Sequence, residues 1–175
     1  VSEALIERIT DPGEMSRCEA LFREHMAWVT ERTRAEYRLD ITGGDPQAAH
    51  EAFLEEWQQL IGPRGRVYLA RVAGADAGIA VLKPISPTTA EVKRMYVNPK
   101  QRGTGLGRRL LAALVADAAQ IGYRTIRLDS AGFMTEAHAL YRSAGFRECD
   151  PYEDFEGAKY APIDPGSWVF MTMEL

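Results

Sequence analysis

Val97-Asn98-Pro99-Lys100-Gln101-Arg102-Gly103-Thr104-Gly105-Leu106-Gly107-Arg108-Arg109 lies between a segment of strand character and a long amphipathic one. Three glycines alternate within it. Each glycine in a first helical turn costs about 1 kcal/mol against alanine, so Gly105 and Gly107 weaken the helix start unless the bare backbone is needed. Arg102, Arg108 and Arg109 stand at the positive end of the helix macrodipole, where cations are disfavoured by a few tenths of a kcal/mol to about 1. A bound pyrophosphate would account for the bare glycines and reverse the sign of the dipole effect, because N–H groups, dipole and guanidiniums would then converge on one anion. A tight turn with solvated arginines is the alternative.

Downstream, Leu106, Leu110, Leu111, Leu114, Val115, Ala118 and Ile121 keep one stripe until Gly122, which predicts a long helix. A strand follows over Thr125 to Asp129, a helix over Thr135 to Ser143 capped by Gly145, and strands near Phe146 to Glu148 and Trp168 to Leu175. Upstream, short aliphatic runs predict strands over Val67 to Val72, Gly78 to Leu82 and Ala90 to Val97, the first two joined through Gly74-Ala75-Asp76. Nearer the start, a strand is expected over Ala4 to Thr10 and helices over Glu14 to Trp28 and Gln47 to Leu60. The first helix shows Met15, Cys18, Leu21, Phe22, Met26 and Val29 on one face, and the second shows Phe53, Leu54 and Trp57. This order is mixed α/β, with antiparallel strands first and a βαβ crossover later.

The spacing of the glycines narrows the anion. A nucleoside-triphosphate loop needs Lys-Ser or Lys-Thr after its last glycine, where Arg108-Arg109 stands here. The dinucleotide fingerprint G-x-G-x-x-G does not fit Gly103-Thr104-Gly105-Leu106-Gly107 either. The loop resembles the R/Q-x-x-G-x-G/A signature of the GNAT superfamily of acyl-CoA-dependent N-acyltransferases, with Arg102, Gly105 and Gly107 at the defined positions. Ala137-His138-Ala139-Leu140-Tyr141-Arg142-Ser143-Ala144-Gly145-Phe146 is similar to that superfamily's A-x-x-L-Y-x-x-x-G-F segment, in the right order and separation. The resemblance is specific from about Glu91 to Glu148, and the first 65 residues share only layout with the family.

The resemblance implies a GNAT-like fold: a mixed, largely antiparallel sheet of about six to seven strands with helices on both faces. It implies acetyl transfer from acetyl-CoA to a primary amine of a small molecule. A protein or peptide amine as acceptor, or a non-catalytic acyl-CoA-binding module, are the alternatives. Arg102, Gly103, Thr104, Gly105, Leu106, Gly107 and Arg108 would then hold the pyrophosphate. Backbone groups of Met95, Tyr96 and Val97 would bond the pantetheine arm where this strand splays from its neighbour. Met134 stands where many members carry an asparagine that bonds the cofactor; it is expected to pack, with Ala137, beside the pantetheine instead, or else simply to fill core space.

Amide formation needs a neutral amine, a polarised thioester and a proton for the departing sulfur. Tyr141 shares a helix face with Ala137, Leu140 and Ala144, and its phenol, with an ordinary pKa of about 10, holds its proton at neutral pH. By resemblance it is the general acid, against a core tyrosine as the plain alternative. Period two places Glu91, Lys93, Met95 and Val97 on one strand face, so Glu91 could share a face with the reacting centre. By resemblance to a superfamily that often carries a carboxylate here, Glu91 is the candidate base, acting directly or through water, against a solvated glutamate as the plain alternative. His138 is expected to be exposed, Cys149 to be a half-buried structural thiol, and His25 and His50 to have no catalytic partners. The stretch Glu148 to Asp164, with Glu148, Asp150, Glu153, Asp154, Glu156 and Asp164 among Tyr152, Phe155 and Tyr160, is an acidic aromatic rim that would suit a cationic amine, or else a solvated loop.

The chain has 175 residues, fits one domain spanning 1–175 and carries a net charge of −4, which argues against nucleic-acid or anionic-membrane partners. Its two cysteines, Cys18 and Cys149, lack metal-ligand spacing, so no metal is expected and both read as reduced thiols. No apolar run approaches the roughly 18 to 20 residues of a membrane span, and the chain reads as cytoplasmic and soluble. Family members are often dimers, and the sequence leaves a homodimer open.

Overall fold

Alternating strand patterns and amphipathic helices assemble around one sheet in the computed structural model, which describes residues 4–42, 45–155 and 167–175. The order is β1 (Ala4–Arg8), α1 (Met15–Tyr37), α2 (Pro46–Leu60), β2 (Arg66–Val72), β3 (Ala75–Pro84), β4 (Thr89–Val97), α3 (Leu106–Ile121), β5 (Thr125–Ala131), α4 (Thr135–Ser143), β6 (Arg147–Glu148) and β7 (Trp168–Glu174). The seven strands form one sheet in the order β1-β2-β3-β4-β5-β7-β6. Among the described residues only β4 and β5 run parallel, joined by the α3 crossover, and the other pairs are antiparallel.

Local chemistry explains the boundaries. Asp45 caps α2 by accepting from the Gln47 and Ala48 N–H groups at 3.0 Å, and Pro46 occupies the first turn. Val72 pairs with Ala75, so the β2–β3 turn falls on Ala73 and Gly74, not on Gly74 to Asp76; both have positive φ (51° and 82°), as a tight hairpin requires. Helix α1 passes the expected end at Trp28 and closes at Tyr37, where Arg38 turns left-handed (φ 55°) and its N–H bonds the Arg34 carbonyl.

Helices cover both faces. Leu110, Leu111 and Leu114 of α3 are buried with Ala80, Leu82, Ala90, Val92, Ile126 and Leu128. Each leucine taken out of water there contributes roughly 1.5–3 kcal/mol. On the other face, Cys18, Leu21 and Phe22 of α1 and Trp57 and Leu60 of α2 pack on Leu69, Ile79 and Val81. The side chain of Phe53, expected beside Leu54 and Trp57, lies outside the described residues. Arg66 pairs with Asp117 and the Tyr68 hydroxyl donates to the same carboxylate at 2.9 Å, tying α3 to β2. Among the described residues no helix is long and apolar enough to cross a membrane, and no cluster of His, Cys, Asp or Glu could hold a metal ion.

Candidate active site

Strand β4 changes face halfway along. Ile79 pairs with Tyr96 and Val81 with Lys93, so Ala80 is opposed by two residues, Arg94 and Met95, and Arg94 takes a φ of 51°. This is a β-bulge, and it inverts the alternation. Before it Ala90 and Val92 pack beneath α3, whereas beyond it Met95 and Val97 do so and Tyr96 turns to the α1–α2 core. Glu91 and Lys93 therefore do not share a face with Met95 and Val97, contrary to the simple period-two expectation. On its other edge β4 pairs with β5 only at Thr89↔Thr125, Ala90↔Ile126 and Glu91↔Arg127. The two strands then part, leaving the Met95–Val97 backbone facing a gap.

The glycine loop closes one end of that gap. Asn98 accepts from the Lys100 N–H, Pro99–Gln101 form a 3-10 turn, and the Thr104 hydroxyl donates to the Gln101 carbonyl at 2.7 Å. Gly103 and Gly105 adopt positive φ values of 75° and 84°, and α3 begins at Leu106 with no side chain capping its first turn. Its N–H groups are thus left for an external acceptor. A cavity of about 510 Å³ opens here, and it brings together every residue assigned to the cofactor from the sequence except Thr104, whose hydroxyl is spent on the turn. Arg109 is also redirected, donating to the Ala4 carbonyl at 2.7 Å. Three arginines and one glutamate line the cavity, a net positive charge of two in a chain whose own net charge is −4.

Tyr141 forms the far wall. It is 7% exposed, its ring meets Phe146 at 5.9 Å, and its hydroxyl has no hydrogen-bond partner among the described residues. Burial, reinforced by the negative charge of Asp129, pushes its pKa well above the ordinary tyrosine value, so the phenol stays protonated. Met134 precedes α4 and its sulfur receives the Ser130 hydroxyl at 3.2 Å. His138 is buried, contrary to expectation: it bonds Ser130 at 3.2 Å, and burial lowers its pKa. Cys149 is half-buried, and burial raises its thiol.

Glu91 does not line the cavity. It is 3% exposed at the point where β4 and β5 part, with Lys93 Nζ at 2.5 Å from one oxygen and Arg127 Nε donating to the other at 2.7 Å. The network continues from Lys93 to Asp129 at 2.9 Å, from Asp129 to the Trp168 indole N–H at 3.0 Å, and from Arg127 to Asp154 through two bonds of 2.8 and 2.7 Å. The expected acidic rim is partly consumed by these contacts. Asp154 pairs with Arg127 and Glu148 with Arg142, while Tyr152 and Phe155 pack on Phe170. Glu156, Tyr160 and Asp164 lie outside the described residues.

Residues 63–148 match the family model described as "Acetyltransferase (GNAT) domain". The chain is also 34% identical over 138 residues to the IAA acetyltransferase of Azospirillum brasilense, covering 78% of this chain and 86% of that one. The chain belongs to the GNAT acetyltransferase family. It is 30% identical over 128 residues to an aminoglycoside N(6')-acetyltransferase type 1 of Stenotrophomonas maltophilia, covering 68% and 81% of the two chains. In fold it resembles a GNAT family acetyltransferase from Elizabethkingia anophelis solved with acetyl-CoA bound, with a TM-score of 0.62, 23% identity and 98% of each chain covered. This acetyltransferase is thus an acyl-CoA-dependent enzyme of mixed α/β fold.

The sequence did not disclose one wall of the GNAT cavity. His25, Trp28 and Arg32 of α1 line it at spacings of three and four, together with Phe133 of the β5–α4 connection. Trp28 and Tyr37 meet Phe133 at 5.8 and 5.9 Å, and the Arg32 guanidinium lies 5.2 Å over the same ring. Arg102 lies 5.1 Å over Trp28, and its Nε donates to the Val97 carbonyl at 3.2 Å. The 3.6-residue spacing of His25, Trp28 and Arg32 was the available signal, but their mixed chemistry hid it.

Proposed function

We propose that this acetyltransferase moves the acetyl group of acetyl-CoA to a primary amine of a small molecule. The observation that carries the reading is the cavity that runs from the start of α3, uncapped by any side chain and flanked by Arg102 and Arg108, to the Tyr141 side chain. The loop N–H groups with Arg102 and Arg108 suit a pyrophosphate, and the open edge of Met95, Tyr96 and Val97 suits the amides of a pantetheine arm. Met134 and Ala137 offer apolar contact along the same arm. The thioester supplies the activated acyl group. Tyr141 then holds a proton at its hydroxyl for the departing sulfur, as a general acid should.

Both oxygens of Glu91 are engaged by cations, so in this reading Glu91 takes the ammonium proton through water rather than by direct contact. Support for a small acceptor comes from the relatives whose names specify IAA or aminoglycoside acetylation. The test is thiol release from acetyl-CoA against panels of small amines and of peptides, run on the wild type and Tyr141→Phe. A small amine is expected to drive turnover, and Tyr141→Phe to lower kcat by about 100-fold while acetyl-CoA affinity changes little. Turnover driven by peptides alone would move the acceptor to proteins, and unchanged kcat in Tyr141→Phe would remove the tyrosine from the chemistry.

A further inference from the structure

The α1 wall carries a cation that neither the glycine loop nor the acceptor chemistry accounts for. His25, Trp28 and Arg32 recur at one helical face and all line the cavity. The Arg32 guanidinium is held 5.2 Å over Phe133, and Phe133 is itself held between Trp28 and Tyr37. One edge of that guanidinium is occupied by Glu36, one turn along the helix. A guanidinium has five donors in a planar fork, so a single carboxylate leaves donors for a second anion. Arg102 stands on the adjoining Trp28 ring, which places two guanidiniums on neighbouring aromatic rings beside the same cavity. Like charges gathered in this way are relieved by an anion between them.

Resting on the acyl-CoA reading above, we propose that Arg32 is a phosphate-binding residue of this site, meeting a cofactor phosphate from the α1 side, beside Arg102 of the glycine loop. Helix α1 then contributes to donor binding, and not only to covering the sheet. The aromatic seat fixes the fork while the ion pair with Glu36 competes with the phosphate.

Calorimetric titration of the full chain with acetyl-CoA and with 3′-dephospho-acetyl-CoA tests this. Arg32→Met keeps a stem over Phe133 and drops the charge, and it is expected to weaken acetyl-CoA about 10-fold or more. Arg32→Lys keeps the charge and should stay within a few-fold of wild type, and Glu36→Gln should bind more tightly. If the Arg32→Met loss disappears with the 3′-dephospho compound, the 3′-phosphate is the partner; if it persists, the pyrophosphate is. Either result supports the proposal. Equal affinity of wild type and Arg32→Met overturns it. Failure of the wild type to bind either compound would instead reject the acyl-CoA reading on which the proposal stands.

Discussion

At Gly105 the backbone φ is 84°, a conformation that costs an L-residue roughly 1–2 kcal/mol, whereas Gly107 lies inside the first turn of α3 with no such constraint. A Cβ on Gly107 would meet Leu140 at 3.4 Å and Met95 at 3.7 Å, ordinary contact distances. Gly105→Ala is therefore expected to lower stability by about 1–2 kcal/mol, and Gly107→Ala to leave it unchanged or raise it by up to about 1 kcal/mol. Denaturant unfolding of the two variants measures this, and equal losses would contradict it. The same scale shows how far single residues were legible. The place of Tyr141 on the cavity wall was legible because its helix face and its motif agree. His138 was misjudged although three positions from Tyr141 is also a same-face spacing; its imidazole is taken inward by Ser130. Glu91 was singled out as a candidate but does not line the cavity, and its surroundings were not legible, since Arg127 meets it, and Asp129 meets its partner Lys93, only once β4 and β5 are side by side.

Most strands and helices were visible because their apolar periods are regular, as in the α3 stripe from Leu106 to Ala118. Two features that shape the site were not. The bulge in β4 is a backbone event at Arg94, and no side-chain pattern announces it. The second half of α1 lost its signal because large aliphatic residues stop at Val29; its site-facing contacts are the edge-on Trp28 ring and the stacked Tyr37 ring on Phe133. Phe133 lies in a short connection where no period exists to be read. If that ring joins α1 to the β5–α4 connection, Phe133→Ala should cost about 1–3 kcal/mol. It should also raise the KM for acetyl-CoA more than it changes kcat. Steady-state kinetics with an active amine decides this, and an unaltered KM would detach the aromatic contacts from cofactor binding.

Across the whole molecule, charge is distributed against the average: an acidic chain encloses a cavity with a net positive charge. Two histidines respond to their surroundings, half-buried His25 at the cavity wall and buried His138 outside it. His25 is driven from 6.5 to about 3, first by burial and then by Arg94 and Arg102, and His138 is also lowered by burial. With folded values below the unfolded ones, the unfolded chain binds protons first. Stability is then full above about pH 6.5 and falls as pH drops towards about 3. His25→Leu should narrow that loss, measured as the fall in Tm between about pH 6.5 and about pH 4; an identical fall in wild type and variant would contradict it. The central claim is that the loop and cavity hold an acyl-CoA, and thermal unfolding with acetyl-CoA tests it most directly. At about 100 times Kd the ligand should add about 2.7 kcal/mol of stability, and changing Arg102 and Arg108 together to glutamine should sharply reduce the shift. No shift with acetyl-CoA or any longer acyl-CoA, or a shift undiminished in that double variant, would contradict the account.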